Sequence, residues 1–277
     1  CASLPFFQHQ QGGVESRILA SFLYEQLSMA ILWSLDETCD GRSTRYEVRS
    51  SGATRRLYTN GAFHSQYNPK RLLAGGVWDL LTLPALYRPT PVAKVLMLGV
   101  GGGAAMHQYV NICKVQRITG IEFNPVHLQI AKTFFDCQGP TIELIHADAY
   151  AWIKRHRRRF DVVIDDLFVD SIGDPIRPNV IDTRWMQQLT AHLRPGGVVI
   201  QNHLGPASAR RVAQDPWIRA HFASAILFDT SQFENGILAL YQVPISNRQG
   251  RNLAVKRIQD LHPGAAKRLD FRGQQLF

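Results

Sequence analysis

Long apolar runs are absent from this sequence of 277 residues. A helix that crosses a bilayer needs about 20 consecutive apolar residues. The most apolar stretch near the N-terminus, LSMAILWSL at residues 27–35, is much shorter. We therefore expect no membrane-spanning helix and no membrane partner.

Cysteine is scarce, and its spacing excludes two further classes. The four cysteines, Cys1, Cys39, Cys113 and Cys137, form no CxxC pair. Disulfide frameworks belong mainly to short secreted chains, and metal sites need closely spaced ligands. The sequence therefore predicts free thiols in a reducing, cytoplasmic compartment and no metal ion.

Acidic residues are outnumbered by basic ones, 22 to 31, which gives a formal net charge of +9. The excess lies in short runs such as KRHRRR at 154–159 and RSTRYEVR at 42–49. Aromatic residues do not interleave with these runs as a base-stacking platform requires. We interpret the runs as solvated surface and do not expect a nucleic-acid partner. A non-catalytic binding module or an RNA-binding protein stays open as an alternative, and RNA binding predicts an affinity for RNA that falls steeply with salt.

The first part of the chain indicates a helix followed by a small antiparallel sheet. Apolar residues recur at helical spacing over residues 14–34, and short alternating runs with turn residues follow up to residue 67. Among them, Asn60-Gly61 is a strong signal for a two-residue hairpin turn. We expect three regions: this one at 1–70, a catalytic domain at 71–244 and a basic tail at 245–277.

From residue 94 onward, strand and helix patterns alternate. Alternation of this kind predicts an α/β fold, a Rossmann-like doubly wound sheet that is mostly parallel with helices on both faces. The connection SQFEN at 231–235 is too short for a parallel crossover. The last strand is therefore expected to run antiparallel to its neighbour.

Four successive strands end in glycine or in an acid. Gly99-Val100-Gly101-Gly102-Gly103 follows the first strand, Glu122 the second, Asp148 the third and Asp165-Asp166 the fourth. Ligands of such sheets bind where the carboxyl ends of the strands meet. A single acid there is more often a helix cap or a loop end, but four matching positions together indicate a binding site.

Glu122 lies about twenty residues after the glycines, where a carboxylate can accept hydrogen bonds from both hydroxyls of a ribose. That spacing also suits a nicotinamide cofactor, since Ala104 completes a G-x-G-x-x-A pattern. Three features favour an adenosyl-sulfonium donor instead: Asp148 after the third strand, the segment LRPGGVVIQ and the closing antiparallel hairpin. Asp148 can accept from an adenine amino group.

Five segments carry a family resemblance: VLMLGVGGG, ITGIEFNPVHLQIAK, IELIHADAYAWI, FDVVIDD and LRPGGVVIQ. Together they resemble the class I S-adenosylmethionine-dependent methyltransferase fold and, more narrowly, the spermidine synthase family. The resemblance implies that Gly99, Gly101 and Gly103 line the amino-acid and sulfonium end of the donor, that Glu122 holds its ribose, and that Asp148 with Ala149 holds its adenine. It also implies that Asp166 is the catalytic aspartate and that the protein forms a homodimer.

The sequence departs from the family where the amines would bind. Gly102 stands where members usually have an aspartate, Val169 replaces a second one, and Asp170 follows one residue later. Of the cluster expected after the hairpin, Gln66 and Tyr67 are the remaining matches. They and Asp170 are the candidate substrate-binding residues.

Two reactions on a small amine acceptor remain open. The first is aminopropyl transfer from decarboxylated S-adenosylmethionine to a diamine such as putrescine. The second is methyl transfer from intact S-adenosylmethionine, which Gly102 favours because the missing acid leaves room for the donor's carboxylate. Neighbouring side chains in a strand point to opposite faces, so only one of Asp165 and Asp166 is expected to reach the pocket. We choose Asp166 from its place in the motif.

Overall fold

The computed structural model describes residues 29–39, 41–168, 176–178 and 181–277. Its first unit is an antiparallel sheet in the order β1-β2-β3-β4, with bounds Ala30–Cys39, Arg42–Ser51, Thr54–Thr59 and Ala62–Tyr67. Asn60 and Gly61 both have positive φ, 50° and 82°. These values are typical of the type I′ turn, and they confirm the predicted hairpin.

The prediction of a helix over residues 14–34 is wrong for its C-terminal residues. Residues 14–28 lie outside the described part, while the segment from Ala30 belongs to strand β1, which pairs with β2 from Ala30↔Ser50 to Cys39↔Arg42. Backbone pairing with β2 therefore overrides the helical spacing of the apolar residues, since intrinsic pattern is a weak prior against tertiary contacts.

Helices and strands alternate from residue 77. The elements are α1 Val77–Tyr87, β5 Lys94–Leu98, α2 Ala104–Asn111, β6 Arg117–Glu122, α3 Pro125–Phe134, β7 Ile142–His146, α4 Ala149–Arg155, β8 Phe160–Asp165, α5 Thr183–Ala191 and β9 Leu193–His203. The chain continues with α6 Pro206–Ala213, α7 Pro216–His221, β10 Ser224–Asp229, β11 Gly236–Tyr241, α8 Asn247–Leu261 and β12 Arg272–Gln275.

The second sheet has the order β12-β10-β11-β9-β8-β5-β6-β7. Strands β9, β8, β5, β6 and β7 are mutually parallel, whereas β11 runs antiparallel to both β9 and β10. This arrangement confirms the predicted mostly parallel sheet and the antiparallel last pair. It brings the carboxyl ends of β5, β6, β7, β8 and β9 to one edge.

Two details differ from the sequence pattern. The pattern over residues 207–222 predicts one helix, but the segment forms two, because Pro216 starts α7 and Asp215 caps it with Oδ1, 2.8 Å from the Trp217 amide. The region 245–277, which we expected to be a basic tail, forms helix α8 and strand β12, and β12 joins the large sheet beside β10. The boundaries of the three predicted regions stay a prediction.

Helices cover both faces of the large sheet, as its patterning predicts. Alternate residues of β5 point to opposite sides: Val95 and Met97 pack with α1, α2 and α8, while Leu96 and Leu98 pack with α4, α5 and α6. Fully buried strands of this kind read as nearly continuous apolar runs. The small sheet packs separately on α3.

Within the described residues, no helix is both long and apolar enough to span a membrane. Cys39, Cys113 and Cys137 are free thiols, as predicted, and Cys1 lies outside the described part. Burial raises the pKa of both Cys113 and Cys137 to about 12. Those two thiols therefore stay protonated and unreactive at neutral pH.

Candidate active site

A cavity of about 1100 Å³ opens at the edge where the parallel strands end. Its walls come from the ends of β5 to β9, the β3–β4 hairpin, the start of α1 and the β10–β11 connection. Of the predicted site residues, Gly99, Glu122, Asp148, Ala149 and Asp166 line it. The cavity therefore lies at the edge of the doubly wound sheet where ligands are expected to bind.

Gly99 brings β5 close to the residue after β8. Its φ is +83°, and a Cβ at this position would overlap the carbonyl oxygen of Asp166. The Asp166 amide in turn donates to the carbonyl oxygen of Leu98, 2.9 Å away. A bare backbone at residue 99 thus allows β5 and the end of β8 to stay in register up to the cavity.

The rest of the glycine loop lies beneath the small sheet rather than in the cavity wall. A Cβ at Gly101 would be 3.1 Å from the carbonyl oxygen of His64, and one at Gly102 would be 2.8 Å from Ser65 Cβ and 2.9 Å from Phe135. The space beside Gly102 is therefore filled by protein. This corrects the expectation that the missing acid leaves room there for a donor carboxylate.

Glu122 is buried and holds the glycine loop. Its Oε2 accepts hydrogen bonds from the amides of Val100 and Gly101, at 2.9 and 3.0 Å, and its Oε1 accepts from the Asn124 amide at 2.9 Å. A carboxylate that accepts backbone N–H bonds is fixed in place. Each oxygen can accept more than one bond, so Glu122 can still receive hydroxyl groups from the cavity.

Asp148 lines the cavity and also caps α4. Its Oδ1 accepts from the Ala151 amide at 2.7 Å, so its second oxygen is available to a ligand. Tyr150 lines the cavity as well. Trp152, the other aromatic side chain of α4, is buried in the core and stacks on His156 with ring centroids 4.3 Å apart.

The two adjacent aspartates have different surroundings. Asp165 is fully buried; its Oδ1 lies 2.7 Å from Arg177 Nη2, and its Oδ2 accepts from Trp185 Nε1 at 2.8 Å. Asp166 lines the cavity. Asp165 therefore anchors the segment around Arg177 within the protein, and Asp166 is the acid of the pair that faces the cavity.

A short amide relay supports Asp166. Asn202 Nδ2 donates to Asp166 Oδ1 at 2.8 Å, and Asn235 Nδ2 donates to Asn202 Oδ1 at 3.0 Å. Burial raises the pKa of Asp166 to about 6, although the Asn202 hydrogen bond and the charge of Arg177 oppose this. The carboxylate is therefore ionised at neutral pH and more basic than an exposed aspartate.

Other predicted residues lie elsewhere. Gln66 bonds to Arg56 and to the carbonyl oxygen of Ala74, and Tyr67 stacks on His107 at 4.2 Å. Neither residue lines the large cavity, so the structure does not support their proposed substrate contacts. Asp170 lies outside the described residues.

His203 bonds to Ser208 Oγ at 3.2 Å and is fully buried, which lowers its pKa to about 4. It is therefore a neutral structural side chain.

The sequence patterns did not indicate several cavity residues, among them Asn202, Phe123 and Glu234. Asn202 lies at the carboxyl end of strand β9, so the rule applied to the first four strands would have found it at the fifth. Phe123 directly follows Glu122 and is 71% exposed at the cavity. Glu234 lies in the β10–β11 connection, and no local pattern marks that loop as part of the site.

Four carboxylates line the cavity: Glu122, Asp148, Asp166 and Glu234. The described lining residues include neither lysine nor arginine. Opposite charge nearby stabilises an ionised group, so this cavity favours cationic ligands. In the described part of the chain, no cluster of three His, Cys, Asp or Glu residues is arranged to hold a metal ion.

Residues 95–197 match a family model described as a methyltransferase domain. The chain is 25% identical over 164 residues to putrescine N-methyltransferase 2 of Nicotiana attenuata, covering 57% of this chain and 40% of that protein. It is 32% identical over 96 residues to polyamine aminopropyltransferase 1 of Streptomyces coelicolor, covering 32% and 18%. The alignments thus span less than half the length of these relatives.

A solved structure with a similar fold is that of a probable spermidine synthase from Corynebacterium glutamicum. It superposes with a TM-score of 0.67 at 12% identity, covering 88% of this chain and 91% of that one. At this identity the likeness establishes the fold alone. Residues 95–197 are therefore similar to a methyltransferase domain within an α/β fold shared with that structure, and the chain is similar in sequence to proteins named as methyltransferases, aminopropyltransferases and a spermidine synthase.

Proposed function

We propose that the protein transfers an alkyl group from an adenosyl-sulfonium donor to the nitrogen of a small amine. The single observation that carries this proposal is the position of Asp166, a carboxylate beside Gly99 that lines a cavity rich in acids. The cavity exceeds the roughly 300–1,000 Å³ of ordinary small-molecule pockets, so two substrates have room to meet.

The donor end of the cavity is formed by the tips of β5, β6 and β7. In our proposal Glu122 accepts the ribose hydroxyls and the second oxygen of Asp148 accepts from the adenine amino group. Both carboxylates already hold backbone amides on other lone pairs, which keeps them oriented before the donor arrives. Gly101 and Gly103 then shape the loop rather than line the cavity.

Asp166 acts on the attacking amine. The amine must be neutral to attack the carbon beside the donor's sulfur; the carbon–sulfur bond breaks, and its electron pair leaves on a neutral thioether. The new nitrogen–carbon bond makes the amine cationic, and Asp166 accepts the released proton. A base whose pKa lies near the working pH suits this role, and the pKa of Asp166 is about 6. Alignment of the two substrates supplies most of the rest.

Two donors are supported by different observations. The excess of carboxylates in the cavity favours decarboxylated S-adenosylmethionine, which is the more cationic donor, and hence aminopropyl transfer to a diamine such as putrescine. Methyl transfer from intact S-adenosylmethionine is supported instead by the match to a methyltransferase domain model and by the similarity to putrescine N-methyltransferases. A homodimer and a cytoplasmic location stay predictions.

Calorimetric titration with both donors and their thioether products tests the proposal. We expect at least one donor to bind, with an affinity that falls in Glu122→Gln. Mass spectrometry of an amine incubated with the bound donor should then show the added alkyl group. If the folded protein binds neither donor nor thioether, the proposed function is wrong. Tighter binding of the intact donor would exclude aminopropyl transfer.

A further inference from the structure

The cavity has two halves that differ in chemistry. The tips of β5, β6 and β7 form one half, with the donor-facing acids Glu122 and Asp148. The opposite half is formed by the end of β9, the β10–β11 connection, the start of α1 and the β3–β4 hairpin. Asp166 lies between them, because β8 is adjacent to both β5 and β9 in the sheet.

Three aromatic rings line the second half: Phe63 from the hairpin, Trp78 from α1 and Phe233 from the β10–β11 connection. The rings of Phe63 and Trp78 meet edge to face, with centroids 5.1 Å apart and an interplanar angle of 82°. A Cβ on Gly76 would be 2.9 Å from the Trp78 ring and 3.7 Å from the Phe233 ring, so both rings flank this glycine. Three separate elements therefore contribute to one aromatic wall.

The wall is supported from behind. Phe63 stacks on Tyr58 with centroids 5.4 Å apart, and Tyr58 is fully buried. Trp78 is 5% exposed, so only a small part of its ring faces the cavity. Rings held in this way present a fixed apolar surface and lose little side-chain freedom when a ligand binds.

We infer that the acceptor is an amine carrying an aromatic or similarly flat apolar group, with its nitrogen at Asp166 and its ring on the wall of Phe63, Trp78 and Phe233. The inference rests on the proposed function and narrows its substrate class. Apolar pockets with a few polar groups orient ligands in this way, and aromatic pairs gain from edge-to-face contact. A carboxylate is also present in this half, but Glu234 is exposed to solvent, where an ion pair contributes little.

Two acceptors that differ in the wall-facing group test the inference: 2-phenylethylamine and putrescine, each compared with propylamine. Each amine is titrated calorimetrically into protein saturated with S-adenosylhomocysteine or 5′-methylthioadenosine, and its alkylation is followed by mass spectrometry with both donors. We expect 2-phenylethylamine to bind at least about tenfold more tightly than propylamine or putrescine, since burial of a phenyl group contributes at this level.

A matched pair of variants locates the effect. Phe233→Ala should reduce 2-phenylethylamine affinity about tenfold, while leaving thioether binding and propylamine affinity unchanged. Phe277→Ala, which removes a partly buried ring outside the cavity, should change none of these values. Circular dichroism and the thermal midpoint check that both variants are folded.

The outcomes separate the two proposals. If putrescine binds more tightly than 2-phenylethylamine while a donor or thioether also binds, the aromatic-acceptor inference is overturned and the proposed function stands. Equal losses of both amines in Phe233→Ala would also overturn the inference. If the folded protein binds no donor and no thioether, the proposed function fails and the inference fails with it.

Discussion

Gly99→Ala is expected to destabilise the protein well beyond the cost of a positive φ. Gly99 has φ +83°, and the added Cβ would overlap the carbonyl oxygen of Asp166. That oxygen belongs to the backbone next to β8, so rotation of a side chain cannot relieve the overlap. The change therefore combines a conformational cost with an overpacking cost.

Gly75→Ala isolates the conformational part of this cost. Gly75 has φ +79°, and no atom lies within 4 Å of the position that its Cβ would take. A left-handed backbone costs an alanine about 1–2 kcal/mol, offset by about 0.4–1 kcal/mol of lost freedom in the unfolded chain. We expect a net loss of about 1 kcal/mol for Gly75→Ala. Overpacking adds about 1–3 kcal/mol for Gly99→Ala.

Differential scanning calorimetry measures the difference. For a domain of this size, 1 kcal/mol corresponds to about 2–4 °C in the thermal midpoint. Gly75→Ala should lower the midpoint by about 3 °C and Gly99→Ala by about 9 °C. Equal shifts would refute the argument, because the close approach of β5 and the residue after β8 would then contribute nothing to stability. The comparison needs no substrate and is independent of the proposed function.

The remaining predictions concern the acids of the site. Asp166→Asn should lower the alkyl-transfer rate by about 10²–10⁴-fold in a mass-spectrometric assay. As a control, Asp260→Asn on the exposed end of α8 should leave this rate unchanged. A fully active Asp166→Asn variant would rule out Asp166 as the base. Burial raises the folded-state pKa of Asp166 from 3.8 to about 6. Its ionisation therefore lowers the free energy of unfolding as pH rises through that window. At pH 7.5 the thermal midpoint of Asp166→Asn should be no lower than that of the parent protein. The alkyl-transfer rate should rise with pH through about 6, as Asp166 ionises. Asn202→Ala removes a hydrogen bond to the ionised carboxylate, so it should shift this rise in the pH–rate profile upward by about one pH unit. If the rise does not shift, it reports the ionisation of another group. Glu122→Gln should weaken donor binding about tenfold and lower the thermal midpoint. The glutamine side chain has a single acceptor oxygen, so it cannot accept hydrogen bonds on both sides as the carboxylate does.

Much of the large sheet was predictable because its patterns are local. The strands around Val95–Leu98 and Val162–Ile164 are continuous buried apolar runs, and the cap Asn124 stands at the start of α3, whereas the helix start at Asp215 was missed. The short SQFEN connection fixed the antiparallel final pair. Strand β1 was not predictable in this way, because its conformation depends on pairing with β2 rather than on its own spacing.

The site was predictable on the donor side and only partly on the acceptor side. Glu122, Asp148 and Asp166 follow strands, so one topological rule finds them. Phe233 and Glu234 reach the cavity from the loop between β10 and β11, and Trp78 reaches it from a helix start. Those positions depend on how distant segments pack, which sequence spacing does not encode. The expectation of open space beside Gly102 was wrong, because Ser65 and Phe135 come from distant segments and fill that space.

The β3–β4 hairpin connects the aromatic wall to the glycine loop through three consecutive residues. Phe63 belongs to the aromatic wall, while His64 and Ser65 lie beside Gly101 and Gly102, and the Gly101 amide donates to Glu122 at the other end of the cavity. A ligand that shifts Phe63 must also strain or relax the backbone beneath His64 and Ser65. Affinities at the two ends are then thermodynamically linked, and such linkage is reciprocal. Selectivity for a new acceptor would therefore evolve more freely through Phe233, on a separate loop, than through the hairpin.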